Sequence, residues 1–390
     1  MKRIVQGPVV LLFAATAVAG QPTWRPIQSF SFPAPLEQAG EHRRVVGQVV
    51  APDAGVIVFG LRWDRKTANT GRQDLVVGAD LTSGKELFRL ETSLILAGLV
   101  ALSPDGLDWL MASPCPGFSC DELSLWSRTG EVRAIPGPGG LHERRGTSVA
   151  DILVVSADAA AFGPGGQRLA VRGVATLYAA SPDDTAPPNR TREPAIVVLG
   201  LDGKKMRWFP VPPEETGKKN YSWPYAWRQD GASLFVAFPQ DDHLRDSSFS
   251  VSEAWQQPFF ILYRLDLEDG GWHRLCQLPY GFAGFGGGSR VIVWESSRKA
   301  AFAAVPIELL ESVHADGAWW DRYRTDADFE CVVPAALEPE ARVDRLFLGD
   351  RRAYALILRK TAEYPSGVPE IWKRADPTGG AAGESAPGWR

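Results

Sequence analysis

"LSPDGLDWL", residues 102–110, sets short apolar runs on either side of a Pro-Asp-Gly turn. Proline presets φ at the second turn position, Asp can bond the backbone two residues on, and Gly accepts positive φ, so these residues favour a tight reversal. The same order recurs in "VVAPDAGVIVFG" from Val49, "AAFGPGGQRLAV" from Ala160, "AWRQDGASLFVAF" from Ala226, "GFGGGSRVIVWE" from Gly284 and "LFLGDRRAYALIL" from Leu346. With Asp53, Asp105, Gly165, Asp230, Gly287 and Asp350 taken as equivalent, the intervals are 52, 60, 65, 57 and 63 residues. Six copies of one unit fill the chain.

A second hairpin follows each of the first four turns: "LVVGADLTSGKELFRL", "LSLWSRTGEVRAIP", "IVVLGLDGKKMRWFPV" and "ILYRLDLEDGGWHRLCQLP". Each unit is thus two hairpins in series, four antiparallel strands a, b, c and d. Four-stranded units repeated radially predict an all-β, six-bladed β-propeller. The sixth unit reaches strand c in "PEIWKRAD" and offers no fourth strand, whereas "TWRPIQSFSFP" from Thr23 looks like the d-strands elsewhere. The N-terminal strand is therefore expected to complete the last blade and remove the open edge.

The repeat resembles that of the six-bladed TolB-type propellers, a WD-repeat-like arrangement with "SPDG" at the a–b turn and a D-x-x-x-G turn between c and d. Ser103-Pro104-Asp105-Gly106 matches it outright, and the pattern covers most of residues 45–376. "FGGGS" and "LGDRR" depart from it. The resemblance implies architecture only, because such propellers include binding scaffolds, lectins and appendages of peptidases.

Residues 1–20 open with Lys2 and Arg3, run apolar from Val9 to Ala19 and end in Ala17-Val18-Ala19. That is the order of a secretory signal, and the apolar run is too short to span a bilayer. The expected organisation is a signal peptide over 1–20, one propeller over 21–376 and a disordered tail over 377–390, in a periplasmic or secreted protein. Cys115 and Cys120 in "CPGFSC" flank a Pro-Gly turn and suit a local disulfide. Cys276 and Cys331 either form a second bridge or are buried as small hydrophobes.

Lys plus Arg number 42 against 46 Asp plus Glu, with no basic block, so no nucleic-acid partner is expected. The long connections, b–c and d–a, should share one face of the ring, making it the expected interaction surface. "IELLESVHADGAWWDRYRTDADFE" in the fifth unit is the exception that falls between c and d if it leaves that face. The innermost a-strands read "RVVGQVV", "LILAGLVAL", "DILVVSADAAAF", "YSWPYAW", "PYGFAGF" and "VDRLFL", with Asp151, Asp158 and Asp344 as acids and no His. His142 and His243 read as loop residues and His273 as outer-strand. A catalytic, metal or cofactor centre is not indicated.

Trp109, Trp126, Trp208 and Trp294 are expected to pack between blades. Tyr221, Trp223, Tyr225 and Trp255, with Asp241 and Asp242, flank the long loops of units three and four and are the candidate contacts. The reading is a non-catalytic propeller binding a protein or peptide partner. The alternative is a carbohydrate-binding or hydrolytic propeller with a small ligand in the channel mouth.

Overall fold

The computed structural model describes residues 24–33, 36–38, 41–65, 73–92, 98–113, 122–134, 142–145, 148–179, 189–201, 206–215, 224–239, 260–278, 282–287, 289–295, 301–308, 330–332, 341–362 and 367–375. The chain enters in β1 (Trp24–Pro26) and then builds blade 1 from β2 (Leu36–Gln38), β3 (Glu41–Ala51), β4 (Val56–Arg65), β5 (Gln73–Asp80) and β6 (Glu86–Thr92). Blade 2 holds β7 (Gly98–Leu102), β8 (Asp108–Ser113), β9 (Glu122–Ser127) and β10 (Val132–Ala134). Blade 3 holds β11 (His142–Arg145), β12 (Ser148–Phe162), β13 (Arg168–Ala179), β14 (Asn189–Gly200) and β15 (Met206–Pro210). Blade 4 is β16 (Tyr225–Trp227), β17 (Ser233–Pro239), β18 (Phe260–Asp266) and β19 (Trp272–Leu278). Blade 5 is β20 (Phe282–Gly286), β21 (Arg290–Glu295), β22 (Ala301–Pro306) and β23 (Glu330–Val332). Blade 6 is β24 (Ala341–Leu348), β25 (Ala353–Arg359) and β26 (Val368–Arg374), completed by β1.

All pairings are antiparallel within six separate sheets. Blades 1 and 3 depart from four strands. Their a-strands are the longest in the ring, and β2 and β11 fold back onto the free inner edge, pairing Glu37 with His42 and His142 with Asp151. The backbone groups of that edge are thereby satisfied.

Six apolar clusters, one per blade interface, close the ring. β13 shows how: Leu169 and Val171 pack with Leu110 and Leu125 of blade 2, while Ala170 packs with Tyr225, Leu234 and Phe238 of blade 4. β17 repeats the rule, with Leu234, Val236 and Phe238 facing blade 3 and Phe235 and Ala237 facing blade 5. Successive side chains alternate faces and both faces are buried, so these strands read as unbroken apolar runs. Each fully buried Leu, Ile, Val or Phe contributes about 1.5–3 kcal/mol. The last interface sets Tyr354, Leu356 and Ile371 of blade 6 against Ile57, Phe59, Leu75 and Val77 of blade 1.

The N-terminal strand seals blade 6 as the sequence indicated. Trp24, Arg25 and Pro26 register with Arg374, Lys373 and Trp372. Trp24 and Trp372 share the cluster between blades 5 and 6 with Ile292, Ala304 and Val343. Trp109, Trp126 and Trp208 are all buried between blades. β21 contains Trp294, whose side chain lies outside the described set.

Candidate functional site

The SPDG turn is built from its own polar atoms. Gly106 N–H donates to the Ser103 carbonyl at 2.8 Å, and the Asp105 carboxylate accepts the Ser103 hydroxyl at 2.6 Å and the Leu107 N–H at 3.0 Å. Ser103 is 2 % exposed, and its Oγ also accepts the Asp108 N–H at 2.9 Å. Gly106 has φ +73°, and a Cβ there would stand 2.8 Å from Val56 Cβ in blade 1. Glycine is required here both for the reversal and for the approach of one blade to the next.

The same device recurs between c and d. Asp80 accepts the Thr82 and Ser83 N–H groups at 3.0 and 2.7 Å while Gly84 N–H returns to the Asp80 carbonyl. Asp266 to Gly270 repeats the backbone return. Asp266 also meets His273 Nε2 at 3.0 Å. Burial pushes the Asp266 carboxyl up, but the Ser233 hydroxyl, Arg264 and His273 outweigh it and hold it below the usual range. His273, on the outermost strand β19, is thus paired with the carboxylate that ends β18.

Blade 6 closes differently. Its turn, "LGDRR", lacks the Pro-Asp-Gly core, and Asp53 of blade 1 supplies the missing acceptor: the N–H groups of Asp350, Arg351 and Arg352 reach its carboxylate at 2.7, 2.8 and 3.2 Å. Gln229 of blade 4 lies 3.4 Å from Asp350 Oδ1, so the a–b turns crowd the channel on this rim. The a–b and c–d turns therefore form a knitted face. Most long connections leave from the other: residues 66–72, 114–121, 180–188 and 240–259 each join a b-strand to a c-strand. The segment between β22 and β23 is the exception the sequence flagged, since it joins c to d and has both ends on the knitted rim.

Of the candidate contacts, Tyr225 opens β16 and is buried in the cluster between blades 3 and 4, beside Phe238 and Tyr263. Tyr221, Trp223, Asp241, Asp242 and Trp255 lie outside the described residues, as do Cys115, Cys120, His243 and the segments 1–23 and 376–390. Cys276 is a free, buried thiol between blades 4 and 5, so it forms no bridge with Cys331, which sits in β23. Burial alone pushes that thiol up to about 12.

His142 corrects the sequence reading. It stands on the added inner strand β11, opposite Asp151 of the a-strand, and not in a loop. His42, absent from the sequence reading, registers between Glu37 and Asp64 in blade 1. Period-two alternation over three or four residues was too short to reveal β2 and β11. Asp344, the remaining a-strand acid described with its side chain, is exposed at a bulge between Val343 and Arg345.

Tyr263 meets polar partners within the core between blades 3 and 4. Its hydroxyl lies 3.1 Å from Glu215 Oε1 and 3.2 Å from Glu214 Oε1, both on a 3-10 turn at Pro213–Glu215. Burial, then the two carboxylates, push the phenol far up, so it stays protonated and donates. The group holds the d–a connection of blade 3 onto blade 4.

A cleft of about 480 Å³ opens on the knitted face between blades 1 and 2, with the blade 6 turn at its edge. Asp53, Asp80 and Asp105 contribute to its walls together with Leu87, Phe88, Pro104, Leu107, Arg128 and Arg351. The sequence reading assigned none of these residues to a site. Leu87, an apolar residue three positions after the Ser83-Gly84 turn, is the local signal in the sequence.

No family model matches the chain, and no curated protein matches it. Solved structures resemble it at low identity. An acylaminoacyl peptidase of Pyrococcus horikoshii aligns at 11 % identity and a TM-score of 0.42, over 82 % of this chain and 43 % of that one. The chain thus spans less than half of that peptidase. The β-propeller domain of the Trilobed protease from Pyrococcus furiosus aligns at 9 % identity and TM-score 0.35, over 86 % of this chain and 94 % of that one. The Swd1 propeller domain of Myceliophteria thermophila gives 9 % and 0.38, over 88 % and 99 %. This chain is a six-bladed propeller on its own strand register. No activity follows from these likenesses.

Proposed function

We propose that the chain is an exported, non-catalytic binding propeller of the TolB type that engages a protein or peptide partner across the rim of long connections. One observation carries the reading: the b–c connections of blades 1 to 4 all leave from a single rim, while turns of the opposite rim, at Asp53 and Gly106, hold neighbouring blades together. Rigid scaffolds present working residues on such loops. Tyr221, Trp223, Asp241, Asp242 and Trp255 lie within or beside those connections and supply aromatic and acidic contacts of the kind enriched at interfaces. Tyr225 then supports them from the core.

The test is a thermal-shift screen of the full chain against peptides, oligosaccharides and divalent metals, followed by Trp223→Ala and Trp255→Ala. Stabilisation by peptides that both variants lose supports the reading. Stabilisation by oligosaccharides or metals alone overturns it, as does a peptide response that neither variant changes.

A further inference from the structure

The cleft on the knitted face joins apolar surface to charged side chains. Leu87 is 48 % exposed, one of two large hydrophobic residues so placed among the described residues. Phe88 beside it stacks on the fully buried Trp109 at 4.8 Å and an interplanar angle of 4°, which fixes the wall. Pro104 of the SPDG turn and Leu107 just after it also line the cleft. Arg128 from the c–d turn of blade 2 and Arg351 from the a–b turn of blade 6 also line it, and their exposed side chains make no hydrogen bond or ion pair with any described residue.

Three aspartates share the lining with these two arginines, so the cleft carries charges of both signs. Both Asp53 oxygens accept the blade 6 amides. Asp80 and Asp105 each direct Oδ1 to their own turns, leaving Oδ2 without a bond among the described residues. Among the described residues the lining thus offers two arginine side chains and two carboxylate oxygens without hydrogen-bond partners, beside apolar surface. Arginine pairs with carboxylate through parallel charge-assisted bonds, and a cleft of this volume is in the range of ligand sites.

We propose that this cleft binds the C-terminal end of an apolar peptide chain. The free α-carboxylate meets Arg128 and Arg351, the terminal apolar side chain lies against Leu87 and Phe88, and a backbone N–H of the peptide reaches Asp80 or Asp105. A fatty acid would satisfy the donors and leave the acceptors idle. The site is separate from the long-connection rim and goes beyond the function proposed above.

The experiment is calorimetric titration of the full chain with N-acetylated tripeptides ending in Leu, Phe or Val, each as free acid and as C-terminal amide, with decanoate as competitor. At least one acid should bind saturably and its amide at least about ten-fold more weakly. Arg128→Gln and Arg351→Gln, both exposed and checked for an unchanged melt, should each weaken the acid several-fold, and Trp223→Ala should not. Equal binding of acid and amide, no saturable binding by any of the three acids, or wild-type affinity in both arginine variants overturns the proposal. Full displacement by decanoate at the affinity of the best peptide also overturns it, assigning the cleft to amphiphilic carboxylates in general.

Discussion

Asp53 and Asp350 are 297 residues apart in sequence, and the backbone N–H of the second donates to the carboxylate of the first at 2.7 Å. In blades 2 and 4 the equivalent aspartates, Asp105 and Asp230, cap their own turns. Asp53 instead caps the turn of the last blade, which has no such residue in working position. The ring closes through this bond, the interface core of blades 6 and 1, and β1.

Asp53→Ala should therefore destabilise the whole ring by about 1–3 kcal/mol, since three turn amides lose a charged acceptor. Asp53→Asn keeps one acceptor oxygen and should cost less. Urea unfolding of the three proteins measures the order; equal midpoints would show that the turn needs no cap.

Closure by β1 makes Trp24 a core residue. It is 6 % exposed in the cluster between blades 5 and 6. Trp24→Ala should cost about 3–5 kcal/mol, and amide exchange should report the loss first in β26 and β1.

Gly106→Ala forces a side chain into positive φ and against Val56. The left-handed conformation alone costs about 1–2 kcal/mol, and the contact adds to it. Thermal melting should fall well below that of Gly165→Ala, where nothing lies within 4 Å of the added Cβ.

Glu370 accepts Arg359 Nε at 2.8 Å and Trp372 Nε1 at 3.1 Å. Burial pushes its carboxyl up, but Arg359 and Trp372 outweigh that and leave it below the ordinary carboxylate range. The folded value is depressed, so this stabilisation is present above the unfolded value of about 4.3 and is lost as pH falls through the folded one. Glu370→Gln should lower stability at neutral pH by less than about 1 kcal/mol, because the pair is partly solvated. The gap in melting temperature between the two proteins should narrow on acidification below pH ~4.

Cys276 is 1 % exposed and its thiol is raised to about 12 by burial, so little thiolate exists at neutral pH. Alkylation of this residue should wait for unfolding. Peptide mapping after iodoacetamide at pH 8, with and without denaturant, reads the difference; rapid labelling of the folded chain would contradict the buried position.

The sequence by itself determined the strand plan. Short apolar runs punctuated by Gly-containing turns at intervals of 52 to 65 residues are enough for six blades, because the period-two pattern and the turn chemistry are local. It also determined that β1 completes blade 6, since a missing strand at one end matched a spare one at the other. Only the tertiary structure decided that Asp53 serves the turn at Asp350, that the short strands β2 and β11 bring His42 into register with Glu37 and His142 with Asp151, and that Leu87, Arg128 and Arg351 meet at one cleft. These pairings join residues from different blades or from hairpins three or four residues long, so no local propensity encodes them. They follow from how the ring shuts, which brings separately specified turns into register on one face.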